Sequence, residues 1–215
     1  YQITIFDSRD KIGGVLRYGI PDFRLPKSIL DDFEHHHLRS KNIKVRPNTT
    51  IGGAITIDDL FSDGYKAVFV GTGVWQPNTL RIKGQTLGNV HFGIDYLNNP
   101  DSYRLGETIN VIGAGNAAMD VARTALRHGT RELTCFSLSK TVAASEYEYS
   151  YAKLEGVKFE FNKKPVEILD EGVIFRDLIE YEDGTYTLFT TSLQWVCPCD
   201  YDENNDGISC TLRTA

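Results

Sequence analysis

The sequence predicts an α/β fold with a largely parallel sheet. Apolar strand-like runs alternate with helical segments, a pattern typical of βαβ units. In the middle of the chain an apolar run over 109–112 leads into Gly113-x-Gly115-x-x-Ala118, and a helical segment follows to about His128. The first glycine permits a tight turn, the second lets a pyrophosphate approach the backbone, and the alanine lets the helix pack closely on the strand. The alternative is a tight strand–helix turn that binds no ligand.

Composition limits the class of protein. The chain has 215 residues and a net charge of −6, which argues against nucleic acid or an anionic membrane as its main partner. No apolar run approaches the roughly 20 residues of a membrane helix, and the chain opens on a strand-like run rather than a basic leader. We therefore expect a protein with neither nucleic acid nor membrane as partner.

The cysteines predict a reduced, cytoplasmic protein without a metal site. Cys135 lies in an apolar run and is expected to be a core residue. Cys197 and Cys199 lack the two-residue spacer of a redox or zinc pair, and Cys210 stands alone. A cytosolic, reduced compartment is the default for such a chain.

Before the glycine-rich turn, hydrophobic spacing predicts a regular alternation of elements. Ile29, Leu30, Phe33 and His37 recur at helical spacing, and Thr56 is a suitable helix N-cap. The predicted strands cover 2–6, 43–45, 66–70, 80–82 and 90–92, and the predicted helices cover 27–41, 56–61 and 93–97.

After that turn, the strand–helix alternation continues to about residue 161, and a small antiparallel set follows. Gly129 is expected to end the central helix, and Ser145 with Glu148 forms a capping-box pattern at the next one. Asp183-Gly184 is typical of a hairpin turn. The predicted elements are strands over 133–136 and 157–161, a helix over 145–155, and a small antiparallel set over 166–169, 173–175 and 186–189.

Three sequence strings resemble one family. Residues 10–26 are similar to the flavin-contacting segment of the glutamate synthase small-subunit family, which consists of FAD-dependent pyridine nucleotide oxidoreductases and includes the related segment of dihydropyrimidine dehydrogenase. Residues 70–73 resemble its Gly-Thr-Gly crossover, and residues 113–123 resemble its second dinucleotide fingerprint. The resemblance extends from residue 1 to about 185.

The resemblance implies a two-dinucleotide flavoprotein. Residues 1–100 would form a partial FAD-binding Rossmann-like domain that lacks its first strand–GxGxxG–helix, and residues 101–192 an NAD(P)-binding Rossmann-like domain inserted in it. The polar turn over 98–101 is the expected boundary, and residues 193–215 form an unmatched tail. The chain is then the middle of a larger protein, and on its own it is expected to hold FAD weakly or not at all.

The implied activity is hydride transfer from NAD(P)H to FAD, followed by delivery of electrons to an accepting large subunit or domain. The flavin supplies the chemistry, so no catalytic residue is assigned. None of the cysteines has iron–sulfur cluster spacing, so any such cluster would lie outside this chain. The alternative function is a truncated, non-catalytic module for nucleotide binding or interaction.

The residues implied for FAD binding suit that role chemically. Asp7 ends a strand, where a carboxylate can accept a hydrogen bond from a ribose, although a solvated strand-end acid is the alternative. Glycines let the backbone approach a cofactor, although plain turns are the alternative there. The full set is Asp7, Gly13, Gly14, Leu16, Arg17, Tyr18, Gly19, Ile20, Thr72 and Gly73.

The residues implied for NAD(P)H binding surround the central turn. N–H groups at the start of the following helix suit a pyrophosphate. Ser137 and Leu138 occupy the places where NADPH-using members carry adjacent arginines, and no acid marks a preference for NADH, so the choice of coenzyme stays open. The set is Gly113, Gly115, Asn116, Ala117 and Lys140.

Three other features are interpreted as structural. Asp120 and Arg123 are spaced as a helix-surface ion pair. The run His35–His37 cannot converge on one ion from a helix, because consecutive side chains point in different directions. The acidic run 202–207 resembles the first half of a calcium loop but lacks the acid six residues after its glycine, which favours a solvated tail over a cation site.

Overall fold

The computed structural model of the chain describes residues 1–180, 186–192 and 210–213. It divides into two compact units, Tyr1–Trp75 and Gln76–Ala215. The predicted division after residue 100 concerns which cofactor each part binds, and it stays a prediction.

Unit 1 contains a two-stranded parallel sheet flanked by short helices. The strands are β1 (Ile3–Phe6) and β2 (Ile43–Arg46), and the helices are α1 (Gly14–Tyr18), α2 (Lys27–Phe33) and α3 (Ile57–Ser62). Helix α3 begins at a full capping box: the Thr56 hydroxyl accepts the Asp59 N–H at 3.1 Å, and the Asp59 carboxylate accepts the Thr56 N–H at 2.9 Å. This confirms the predicted cap and fixes where the helix starts.

Two predictions for unit 1 are wrong in detail. The helix predicted over 27–41 ends earlier, because α2 passes at Glu34 into a π-helical turn, Glu34–Leu38. The strand predicted over 66–70 does not form; Phe69 and Val70 are 94% and 65% exposed. A β-rich run needs a neighbouring strand to pair with, and none of the described strands pairs with these residues.

Unit 2 is built on a five-stranded sheet in the order β3-β10-β4-β5-β6, in which all neighbouring strands are parallel. Three helices and a three-stranded antiparallel sheet, β7-β8-β9, accompany it. The elements are β3 (Val90–Phe92), α4 (Gly93–Asn98), β4 (Thr108–Ile112), α5 (Asn116–Arg127), β5 (Glu132–Phe136), α6 (Glu146–Leu154), β6 (Lys158–Glu160), β7 (Lys163–Ile168), β8 (Val173–Glu180), β9 (Tyr186–Ser192) and β10 (Cys210–Arg213).

The parallel sheet separates two hydrophobic clusters, as alternation along its strands requires. Ile109 and Val111 of β4 pack with α5 in the larger cluster, which also contains Cys135. Ile112 lies in the smaller cluster with Phe136 and Phe175, whose rings stack at 4.1 Å between centroids. Cys135 is thus a core residue as predicted, and burial raises the pKa of its thiol.

The C-terminal part adds one strand that the sequence did not indicate. Residues 210–213 form β10, which pairs in parallel with both β3 and β4. The predicted hairpin turn at Asp183-Gly184, the acidic run 202–207, and Cys197 and Cys199 lie outside the described residues. Among the described helices, none combines the length and apolarity needed to cross a bilayer.

The interpretation of Asp120 and Arg123 as a surface pair is wrong, because both are buried, at 4% and 6% exposure. Arg123 extends from α5 to α6 and pairs with Glu148 at 2.8 Å and with Glu155 at 2.8 Å. Arg127 also contacts Glu155, at 2.7 Å. Burial alone would raise the pKa of Glu155, but hydrogen bonds from Arg123 and Arg127 outweigh it and lower that pKa.

Gly84 lies in unit 2 where the backbone of another segment leaves no room for a side chain. Its φ is +81°, and a Cβ added there would lie 1.8 Å from the carbonyl oxygen of Ile168. At this point the chain runs beside β7, and the Ile168 N–H donates to the Lys83 carbonyl at 2.9 Å. Any side chain at Gly84 must therefore push this segment away from β7.

We expect Gly84→Ala to lower the free energy of unfolding by at least about 2 kcal/mol, since a positive φ alone costs an ordinary residue about 1–2 kcal/mol. Urea denaturation followed by circular dichroism measures this. Gly88→Ala is the matched control, because its added Cβ meets nothing within 4 Å, and it should change stability by no more than about 1 kcal/mol. Equal stability of the two variants would contradict the contact.

Candidate functional site

The candidate site is the corner where β4 enters α5. Gly113 has a φ of 139°, which only glycine adopts readily, and its N–H donates to the Phe136 carbonyl of β5 at 2.9 Å. Ala118 is fully buried, so its small side chain allows α5 to pack against the sheet. The roles that the sequence predicted for the first and third small residues are thereby confirmed.

Gly115 leaves the corner open. Its backbone is extended, with φ −89° and ψ −179°, so its conformation does not itself require glycine. A Cβ placed there would meet nothing within 4 Å. The absence of a side chain at Gly115 therefore leaves space in front of the helix that the described part of the chain does not fill.

The N-terminus of α5 faces this space with unused donors. No described side chain caps it, and its first turn contains no acidic residue. Asn116 and Ala117 are exposed, and the Met119 N–H donates to the Gly115 carbonyl at 3.1 Å at the start of the helix. Free N–H groups together with the positive end of a 12-residue helix dipole make this end suited to an anion.

The loop after β5 is tied to the same corner. The N–H groups of Ala143 and Ala144 both donate to the Ala114 carbonyl at 3.0 Å. The Ser145 N–H donates to Oδ1 of Asn116 at 2.9 Å, so this amide side chain holds the start of α6. The structure thus brings together Gly113, Gly115, Asn116, Ala117 and the loop that carries Lys140.

That loop contains a turn that is closed by the hydroxyl groups of Ser137 and Ser139. The Ser137 and Ser139 hydroxyls both donate to the Thr141 carbonyl, at 3.2 and 2.5 Å, and they lie 3.1 Å apart. Ser137 is buried, whereas Leu138 and Lys140 are exposed. Lys140 is thus an exposed cation on the loop that is tied to the corner, and its role in nucleotide binding stays a prediction.

In unit 1, the predicted FAD residues form a short turn and helix. Gly13 and Gly14 have φ values of 126° and 50°, and a Cβ on Gly14 would meet nothing within 4 Å. Leu16 is 45% exposed on α1, and the Gly19 N–H closes the helix on the Val15 carbonyl at 2.8 Å. This turn offers an open backbone surface at Gly14.

Arg17 and Tyr18 are held by contacts within unit 1. The Arg17 side chain is 7% exposed; its Nε donates to the Ile12 carbonyl at 2.8 Å, and a terminal nitrogen lies 3.0 Å from Asp31. Burial and the hydrogen bond from its hydroxyl to Asp10 raise the pKa of Tyr18. The ammonium of Lys27 donates to the carbonyls of Leu16 and Ile20 and so braces the end of α1.

Asp7, Thr72 and Gly73 lie away from that turn in sequence. Asp7 follows β1, and its Oδ1 accepts the Arg9 N–H at 2.9 Å in a tight local turn. Thr72 and Gly73 are exposed in a segment without regular structure, and Gly73 has a φ of +72°. The chemical roles of these three residues stay predictions.

Sequence reasoning missed the ion-pair cluster of Arg123, Glu148 and Glu155. The signal was present, since Glu148 and Glu155 are seven residues apart on one helix face. Ser145 does cap α6, accepting the Glu148 N–H at 3.4 Å, but the Glu148 carboxylate also pairs with Arg123.

Within the described residues no group of three His, Cys, Asp or Glu side chains is arranged to hold a metal ion, and His35–His37 are exposed.

A parallel sheet, a glycine corner and an open helix N-terminus are the features of the dinucleotide-binding class of α/β folds. Solved flavoprotein reductases share the architecture: FprA of Mycobacterium tuberculosis, solved in complex with NADPH, matches all of this chain and 63% of its own with a TM-score of 0.73 at 17% identity. T. acidophilum thioredoxin reductase matches all of this chain and 69% of its own with a TM-score of 0.57 at 13% identity. The fold is that of two-dinucleotide-binding flavoproteins.

The chain belongs to the pyridine nucleotide-disulphide oxidoreductase family, whose model matches residues 34–197. It is 31% identical over 182 residues to the glutamate synthase (NADPH) small chain of Azospirillum brasilense, covering 77% of this chain and 37% of the relative. It is 34% identical over 179 residues to the NADP(+)-dependent formate dehydrogenase subunit beta of Moorella thermoacetica, covering 80% of this chain and 25% of the relative. The predicted family resemblance is confirmed, and the chain spans about a quarter to two fifths of these relatives.

Proposed function

We propose that this chain contains the nicotinamide-binding domain and part of the FAD-binding domain of an NAD(P)H-dependent flavoprotein oxidoreductase that passes hydride from the nicotinamide to FAD. The observation that carries the proposal is the open, uncapped N-terminus of α5 behind Gly113 and Gly115. The family and its named relatives support an oxidoreductase. The assignment to hydride transfer rests on this site.

The residues at the corner fit a dinucleotide. A pyrophosphate placed over Gly115 would meet the N–H groups of Asn116 and Ala117 and a partial positive charge of about 0.5 from the helix dipole. With no acid in the first helical turn, nothing in that turn repels it. We assign Gly113, Gly115, Asn116 and Ala117 to the pyrophosphate, with Lys140 near the adenosine end.

The residues of unit 1 fit only part of a flavin site. Gly14 offers open backbone, and we propose Arg17 as a positioning residue that shapes the turn through Ile12 and Asp31. The sequence of this unit contains no Gly-x-Gly-x-x-Gly run for the FAD pyrophosphate. A flavin supplies the redox chemistry where it is bound, and we propose that this chain alone holds it weakly.

The named relatives suggest where the electrons go. One is the small chain of a glutamate synthase and another the beta subunit of a formate dehydrogenase, which supports an electron-accepting subunit or domain as the partner. Iron–sulfur clusters would belong to that partner or to parts outside this chain. The cytoplasmic location predicted from the cysteines stays a prediction.

The test combines nucleotide binding with flavin reduction. The purified chain is titrated with NADPH and NADH, and reduction of excess added FAD is then followed anaerobically against FAD and nucleotide alone. We expect saturable nucleotide binding and faster FAD reduction with the chain present. Binding without faster reduction would favour the alternative, a non-catalytic nucleotide-binding module, whereas no binding of either nucleotide would overturn the proposal.

A further inference from the structure

The segment 137–145 follows β5, where we expect the adenosine ribose to lie. It contains neither an acidic residue nor an arginine, the residue types that select between NADH and NADPH. In dinucleotide-binding folds this ribose lies at the carboxyl end of the strand after the glycine-corner helix; an acid there favours NADH and an arginine favours NADPH. Here that strand is β5. Its end is fixed beside the corner, because the Phe136 carbonyl accepts the Gly113 N–H at 2.9 Å.

The hydroxyl groups of Ser137 and Ser139 are already used in shaping the turn. Both serine hydroxyls donate to the Thr141 carbonyl, and the Ser137 hydroxyl also accepts the Ser139 N–H at 3.3 Å. Leu138 is 56% exposed and apolar, so it offers neither a hydrogen-bond acceptor nor a charge. Because both hydroxyl protons are directed at the Thr141 carbonyl, neither serine has one left to donate to a phosphate.

Charges near the end of β5 are nearly balanced. No aspartate or glutamate occurs between Glu132 and Glu146, so the loop itself carries no carboxylate for a 2′-hydroxyl. Lys140 is exposed on it. On the adjacent strand end, Glu160 is half-buried and its carbonyl accepts the Ser137 N–H at 2.8 Å, while Lys163 pairs with Asp177 at 2.5 Å.

We infer that this site accepts both NADH and NADPH, with affinities within about tenfold of each other, and that Lys140 supplies the remaining preference for NADPH. The inference rests on the proposed function. A lysine meets a phosphate as a point charge, without the two parallel hydrogen bonds of arginine. One exposed ion pair changes affinity by about fivefold or less.

The test measures dissociation constants of the 215-residue chain for NADPH, NADH, 2′,5′-ADP and 5′-AMP by calorimetry at one fixed salt concentration. We expect the two members of each pair to differ by less than about tenfold, with the phosphorylated one tighter. Lys140→Ala should bring each ratio to within about twofold, whereas Lys164→Ala, an exposed control on β7, should leave it unchanged. Leu138→Arg should raise the preference for NADPH above tenfold, since it adds a guanidinium at an exposed position.

The outcomes separate this inference from the proposed function. A ratio above about tenfold in either direction for the unaltered chain, or a ratio that Lys140→Ala leaves in place, overturns the inference while nucleotide binding itself stands. If none of the four nucleotides binds, the proposed function fails, and the inference fails with it.

Discussion

Replacing Gly115 with aspartate should weaken NADPH binding by at least about 100-fold while the fold stays intact. The backbone at Gly115 is extended and its missing Cβ faces open space, so the apo protein tolerates a side chain there. The same space is where we place the pyrophosphate, and a carboxylate would both fill it and repel the phosphates. Like charges brought together at a binding site cost several kcal/mol, and 100-fold corresponds to about 2.7 kcal/mol.

The matched control for this variant is Gly88→Asp. It adds the same charge at a glycine that also faces open space, but Gly88 precedes the edge strand β3 at the amino end of the parallel sheet, whereas the corner lies at the carboxyl end of β4. Calorimetric titration with NADPH should give near-normal affinity for Gly88→Asp and no measurable binding for Gly115→Asp. Normal affinity of the Gly115 variant would remove the corner from the binding site.

Replacing Arg123 with leucine should lower the free energy of unfolding by about 3–5 kcal/mol, the largest stability effect we expect. The variant leaves Glu148, whose side chain is 6% exposed, without its partner at 2.8 Å. It also removes the link to Glu155 and the cation–π contact with Tyr151, 5.2 Å from the ring centroid. Urea denaturation followed by the helical circular dichroism signal measures the loss.

Arg127→Leu is the control for that experiment. Its side chain is 44% exposed and shares Glu155, so an exposed pair worth about 1 kcal/mol or less is lost. The double variant Arg123→Leu/Glu148→Leu should recover part of the stability, because it also removes the buried carboxylate that has lost Arg123. If the two single variants were equally stable, the buried pair would not be what joins α5 to α6.

The fold and the corner could be predicted from the sequence because both depend on local signals. Gly113 permits the tight turn, Ala118 is small enough for close packing, and the N-cap threonine Thr56 directly precedes its helix in the sequence. The antiparallel set was also predicted, since strand alternation shows over short windows. Each of these features is decided by residues close in sequence.

The features that could not be predicted from the sequence depend on residues that are distant in the chain. The sequence spacing predicts Arg123 as a surface residue, whereas in the fold α6 packs against α5 and places Glu148 beside it. The apolar run 66–70 has the composition of a strand, yet no described strand pairs with it. Gly84 looks like an ordinary loop glycine until Ile168 of β7 is found 1.8 Å from its would-be Cβ. Pairing and packing over long sequence separations decided all three.

The most direct test of the account is an amide chemical-shift titration of the ¹⁵N-labelled chain with NADPH. If the corner binds the pyrophosphate, the backbone amides of Gly115, Asn116 and Ala117 should show the largest shifts among the described residues, and the Gly115→Asp variant should show none. Saturable binding of NADPH that leaves these three amides unshifted would contradict the central claim.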